Sequence, residues 1–105
     1  AISLWSAAWS DQNVPQYLAT YSVSFEVPGD RSRRSWEALR RSRLTKPRFI
    51  SVEVEFEAFE LVDTNVVDVF FRQAYRSNTY NDQTDKVLRM RKEGTDWKIL
   101  IERGR

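Results

Sequence analysis

The amino-acid sequence predicts an α+β domain, a cone of three N-terminal helices packed on a curved, mostly antiparallel sheet. Three observations carry this. Apolar residues recur at helical spacing before Pro47. After Pro47 the period falls to two, and tight polar turns separate the alternating runs, the mark of an antiparallel meander. A sheet of that kind wrapped over a few helices leaves a hollow at one end.

Ile2, Trp5, Ala8 and Trp9 form the apolar stripe of a first helix that ends near Asp11. Asn13 is placed to cap a second, with Pro15 at an early helical position and Gln16 completing an approximate capping box. Its inward residues are Val14, Tyr17, Leu18 and Tyr21. Ser24 to Val27 alternates briefly and stops at the turn Pro28-Gly29-Asp30. A third helix is predicted from Arg33 to Thr45, capped by Ser32, with Trp36, Leu39, Arg40 and Leu44 on one side. Pro47 ends it, because the residue before a proline is pushed out of the helical region.

Strand pattern begins at Arg48. Ile50, Val52, Val54 and Phe56 face one way; the apolar parity then passes to Phe59 and Leu61, which predicts a β-bulge near Glu57 or Ala58. After a turn at Asp63-Thr64-Asn65, Val67, Val69, Phe71, Gln73 and Tyr75 form the next inward row. Ser77 to Asp85 reads as a polar loop, and Lys86, Leu88 and Met90 share a face of the following strand. Glu93 to Asp96 is a hairpin turn; Trp97, Ile99 and Ile101 close the sheet, and the end frays over Arg103-Gly104-Arg105.

The chain of 105 residues is one domain with one core, its 41% hydrophobic content including 13% aromatics. It reads as a domain cut from a longer protein. Seventeen basic and fifteen acidic residues give a net charge of +2, too balanced to call for nucleic acid. Cys and His are both absent. That excludes a Cys/His zinc site, a thiol nucleophile and a Ser-His-Asp triad, and no metal or cofactor is expected. No apolar run reaches the length of a membrane span.

The landmarks Trp9-Ser10-Asp11, Tyr17-Leu18 with Tyr21-Ser22 and Phe25, Ser35-Trp36-Glu37 with Arg40, Pro47 to Val52, Phe71-Arg72-Gln73 with Tyr75, Tyr80, Lys86 with Leu88, and Trp97-Lys98-Ile99 with Glu102 run over nearly the whole chain. In that order the sequence resembles the nuclear transport factor 2-like superfamily. The nearer resemblance is to its bacterial branch at the C-terminal end of L,D-transpeptidase-like cell-envelope proteins. The resemblance implies the cone fold, an accessory module, a periplasmic or cell-envelope location and a peptidoglycan-related context. Transpeptidase activity in such proteins belongs to a separate domain with a catalytic Cys, so that activity does not transfer here.

On the inner face the apolar row breaks at Gln73, Tyr75 and Lys86. With Phe71 set opposite Met90, Tyr75 falls opposite Lys86, and an amide, a phenol and an ammonium converge above Phe71, Leu88 and Met90. Tyr17, Tyr21 and Trp36 would wall this site, with Arg40 at its rim. Such a pocket suits a small anionic ligand or peptide. The same residues would equally serve as a polar plug where the core meets water. An enzyme of the ketosteroid isomerase or dehydratase type needs an inward acid–base pair. The inward rows hold no Asp, and Glu102 is as well explained by an ion pair with Lys86 or Arg72. No catalytic residue is assigned.

The basic stretch from Arg31 to Arg48 reads as a solvated helix face. Glu53, Glu55 and Glu57 are expected to pair across the sheet with Arg72 and Arg76. Phe49, Phe59 and Phe70 are assigned to the outer sheet face, where a protein partner or a homodimer would cover them. A structural dimerisation module is thus a further reading.

Overall fold

The computed structural model describes residues 1–104. Its elements run α1 (Ile2–Ser10), α2 (Val14–Ala19), α3 (Arg33–Thr45), β1 (Ile50–Asp63), β2 (Val66–Ser77), β3 (Asn81–Glu93) and β4 (Asp96–Gly104). The strands form one antiparallel sheet in the order β1-β2-β3-β4, against which the helices pack. The three helices and the open, curved sheet are those the sequence predicts. No helix is long and apolar enough to cross a membrane among the described residues. Arg105, part of the expected fraying end, lies outside them, while Arg103 and Gly104 belong to β4.

Helix starts follow the capping chemistry. Asn13 Oδ1 accepts the Gln16 N–H at 3.2 Å and its Nδ2 donates to Gln16 Oε1 at 3.3 Å. Ser32 Oγ accepts the Ser35 N–H at 3.1 Å and starts α3. After α2 the chain runs beside β4: Ile99 N–H donates to Thr20, and Ser22 and Glu26 N–H donate to Ile99 and Leu100, each at 2.9 Å. The brief alternation at Ser24–Val27 is therefore not a strand; it serves to bury Phe25 against Trp36, ring centroids 4.7 Å apart.

The core is aromatic. Trp5, Tyr17 and Phe71 are fully buried and Trp36 is 1% exposed. Trp5 meets Phe71 edge-on at 5.9 Å and Tyr21 meets Trp36 at 4.8 Å, contacts worth about 0.5–1.5 kcal/mol each beyond area burial.

Two bulges set which side chains enter this core. In β1 the register steps from Phe56 opposite Phe71 to Ala58 opposite Phe70, so Glu57 is the extra residue, where the sequence expects it. In β4, Met90 faces Ile99 but Arg89 faces Ile101, leaving Leu100 extra. That second bulge turns Ile101 outward, against expectation, and aims Glu102 inward opposite Leu88.

The β2–β3 connection also differs from the reading of Ser77 to Asp85 as a loop. Ser77 Oγ accepts the N–H groups of Thr79 and Tyr80, closing a short turn, and β3 begins at Asn81. The register is then Phe71 with Lys86, Tyr75 with Asp82 and Val67 with Met90, so Lys86 does not face Tyr75. Polar side chains do not prevent an extended backbone when β2 offers a ladder to pair with.

Candidate functional site

The Leu100 bulge delivers Glu102 to the interior, its side chain 5% exposed. Lys86 Nζ donates to Oε2 at 2.8 Å; Tyr21 Oη donates to Oε1 at 2.7 Å and Arg40 reaches the same oxygen at 3.3 Å. Trp5 Nε1 donates to Tyr21 Oη at 3.1 Å, Arg40 donates to Tyr17 Oη at 2.7 Å, and the two phenol oxygens lie 3.0 Å apart. A phenol has one proton to give. Tyr21 spends its proton on Glu102, so Tyr17 donates to Tyr21, and the protons run Arg40 to Tyr17 to Tyr21 to Glu102. Arg40 also covers the Trp36 ring at 5.0 Å, and Lys86 lies 5.6 and 5.7 Å from the Trp5 and Trp9 rings.

These contacts fix the charges. Burial alone raises the Glu102 carboxyl, but the Lys86 and Arg40 cations and the Lys86 and Tyr21 hydrogen bonds outweigh it and bring its pKa to about 2. Burial, then the Glu102 charge, raises both phenols, Tyr21 well above its ordinary value. Burial works against the Arg40 cation, yet Glu102 and the phenols hold its pKa above the ordinary value. One carboxylate therefore faces two cations, and the cluster carries a net charge of +1.

Beside the cluster opens a cleft of about 690 Å³. Trp9, Tyr75 and Tyr80 line one wall, with centroids 5.5 Å apart for Trp9–Tyr75 and 6.2 Å for Tyr75–Tyr80. Ser42 and Arg43 of α3 and Lys46 just past its end line the other, and Gln73, Asp82, Thr84 and Lys86 are also part of the lining. Gln73 is 6% exposed, yet its Oε1 has no hydrogen-bond partner; nor does the buried Oγ1 of Thr84, its register partner on β3. A second, polar depression of about 550 Å³ on the β1–β2–β3 surface, between Glu53, Arg76 and Gln83, holds none of the unpartnered buried atoms.

Of the residues singled out in the sequence, Gln73, Tyr75 and Lys86 meet in the cleft. Tyr17, Tyr21, Trp36 and Arg40 do not wall it; they lie in and behind the buried cluster, and Lys86 joins the two regions. Sequence reading misses Trp9, although its helical spacing from Trp5 marks it as inward, and misses Thr84, hidden in the supposed loop. Glu102, which the sequence leaves open between an inward acid and an ion pair with Lys86 or Arg72, lies inward and pairs with Lys86 and Arg40.

The outer face differs in two respects. The Glu57 bulge turns Phe59 to the inner face, opposite Val69 in a hollow with Ile2 and Met90, so Phe59 does not join Phe49 and Phe70 outside. Arg72 binds Asp85 at 3.3 Å instead of its register neighbour Glu55.

A sheet coned over three helices, with a buried polar cluster at its open end, defines a nuclear transport factor 2-like domain. The chain belongs to the family of the Cds6 C-terminal NTF2-like domain, whose family model matches residues 1–103. Among solved structures it is similar to Bdellovibrio bacteriovorus Bd1075, with 24% identity and a TM-score of 0.85 over 98% of this chain and 37% of that one. It is similar also to the helical cell shape determining protein Pgp2 from Campylobacter jejuni, with 18% identity and a TM-score of 0.75 over 97% and 38%. An NTF-2 like protein of unknown function from Shewanella oneidensis matches with 11% identity and a TM-score of 0.72 over 98% and 91%. The chain thus spans little more than a third of the first two proteins. Among curated proteins none matches.

Proposed function

We infer that this chain is a ligand-binding accessory domain of a bacterial cell-envelope protein, and that its cleft receives a carboxylate-bearing peptide or peptide-substituted sugar. The observation that carries this reading is Gln73. A buried polar atom without a partner costs about 1–3 kcal/mol, and of the four such side-chain atoms among the described residues two, Gln73 Oε1 and Thr84 Oγ1, belong to register partners that line the cleft. An amide N–H or a hydroxyl from a ligand supplies the missing donor once the Gln73 side chain turns toward the cleft that it lines. A ligand carboxylate answers the net positive charge of the Arg40–Glu102–Lys86 cluster, since Lys86 has three protons to donate and gives one to Glu102. Trp9, Tyr75 and Tyr80 offer apolar faces to a sugar ring or side chain.

Binding fits the cluster better than proton transfer does. Its carboxyl is held ionised by three donors and its phenols are held protonated, so neither the carboxyl nor the phenols are poised near neutral pH. Similarity to a helical cell shape determining protein supports an envelope setting and a peptidoglycan fragment as ligand.

Calorimetric titration with a disaccharide–tripeptide muropeptide, beside chitobiose as a sugar without carboxylate, tests this. The muropeptide is expected to bind and chitobiose to bind at least about tenfold more weakly, the equivalent of about 1.4 kcal/mol. Gln73→Ala is expected to weaken muropeptide binding by about tenfold while changing folding stability by less than about 1 kcal/mol. Undiminished binding by Gln73→Ala, or no binding of either compound, would remove the cleft as the site.

A further inference from the structure

We propose that the open edge of β1 is a docking strand for an extended segment of a partner polypeptide, apolar along one side and basic along the other. The two edges of the sheet are finished differently. At β4 the segment from Thr20 to Glu26 lies against the strand and bonds to Ile99 and Leu100. At β1 Val52 is met from outside: its N–H donates to Ser10 Oγ at 2.9 Å, and that hydroxyl reaches the Val52 carbonyl at 3.5 Å.

Since Val52 turns its amide away from β2, strand alternation turns Val54 and Phe56 the same way, and the bulge at Glu57 keeps Phe59 and Leu61 in that set. Among the described residues, no hydrogen bond from outside the β1–β2 ladder reaches these four backbones. A row of unsatisfied amides and carbonyls is a template for another strand.

The two faces of β1 specify which strand. On the inner side Phe56, Phe59 and Leu61 are 45%, 64% and 74% exposed, and the two rings stack 5.6 Å apart. Phe56 and Phe59 border a hollow of about 350 Å³ shared with Ile2, Met90 and Trp97. On the outer side Glu53, Glu55 and Glu60 are exposed and belong to none of the ion pairs among the described residues. Charges and bulges ordinarily guard an edge against pairing, and here they also select. A second copy of β1 laid alongside would set glutamate rows next to one another, which is unfavourable. A segment with Lys or Arg at alternate positions meets those glutamates, while its intervening apolar side chains reach the Phe56–Phe59 hollow. The partner is therefore another polypeptide, strand-forming and basic.

The test uses the 105-residue chain and an acetylated octapeptide alternating lysine and valine, read by NMR titration and amide hydrogen exchange. In the free chain the Val54 and Phe56 amides should exchange fast. Bound peptide should slow them by about tenfold or more, with an affinity that falls as salt is raised. Glu53→Lys combined with Glu55→Lys should weaken binding by about tenfold or more while the chain stays folded by circular dichroism. A peptide N-methylated at the residues that bond β1 should not bind.

Failure of the peptide to protect Val54 and Phe56 overturns the proposal. Equal binding by the N-methylated peptide, or by the doubly charge-reversed chain, does so too. Slow exchange of the two amides in the free chain, coupled to a concentration-dependent increase in size, would show the edge covered by a second copy and would equally refute it.

Discussion

At the scale of single residues, Tyr21 is the hinge of the buried cluster. Its oxygen receives protons from Trp5 Nε1 and Tyr17, and its own proton binds a carboxylate. Hydrogen bonds to charged groups contribute about 1.5–3 kcal/mol, against about 1 kcal/mol for neutral pairs. Tyr21→Phe removes the bond to Glu102 and strands two buried donors, so a loss of about 3 kcal/mol is expected. Tyr17→Phe removes the Arg40 bond to Tyr17 and a donor to Tyr21 but strands no donor, since Arg40 still reaches Tyr21 and Glu102, so its expected cost is about 2 kcal/mol. Urea unfolding of both variants checks the order; an equal or reversed ranking would contradict the proton sequence assigned above. Lys86 shows why the sequence exposed only part of this site. Its inward parity is visible, but its neighbours depend on a register that polar residues 81–85 concealed. The sequence pattern sets Tyr75 opposite it, where Phe71 stands.

At the scale of elements, caps and bulges decide what the helices and strands present. The Ser32 cap starts α3, which carries Trp36 and Arg40 into the interior. Ser32→Ala should cost about 1 kcal/mol and lower the melting temperature by about 4–8 °C, seen by circular dichroism. A melting temperature unchanged by this substitution would mean that core packing alone fixes the start of α3. Both caps were legible because Asn13 and Ser32 each precede a helical stripe. The β1 bulge was legible because the apolar parity slips visibly between Phe56 and Phe59, although its consequence for Phe59 needed the register itself. The β4 bulge was not. Ile99, Leu100 and Ile101 are all apolar, so every register satisfies the pattern, and only packing aims Glu102 inward.

At the scale of the whole molecule, the Glu102 cluster ties α1 through Trp5, the α2 region through Tyr17 and Tyr21, α3 through Arg40, and β3 and β4 through Lys86 and Glu102 itself. Its protonation should therefore be felt in global stability. The Glu102 carboxyl ionises at about 2 in the folded chain against an ordinary 4.5. A carboxyl with a lowered folded pKa stabilises fully above its unfolded pKa and loses that contribution as pH falls through the folded one. From these two values the contribution is about 3 kcal/mol at neutral pH, lost between about pH 4.5 and 2. In that window Arg40 and Lys86 are left facing one another without their anion. Asp68, held low by the Arg89 hydrogen bonds on the outer face, and Glu93, held low by its Ser22 and Arg91 hydrogen bonds, add slopes of the same sign, and Asp68→Asn and Glu93→Gln separate them from that of Glu102. Glu102→Gln should be less stable than the parent by about 3–5 kcal/mol at neutral pH, because it leaves two buried cations unpaired. It should also flatten the acid slope, so the two stability curves converge as pH falls to about 2. Urea unfolding at a series of pH values measures both quantities. An acid slope as steep in Glu102→Gln as in the parent would place the acid-sensitive carboxyl elsewhere in the fold.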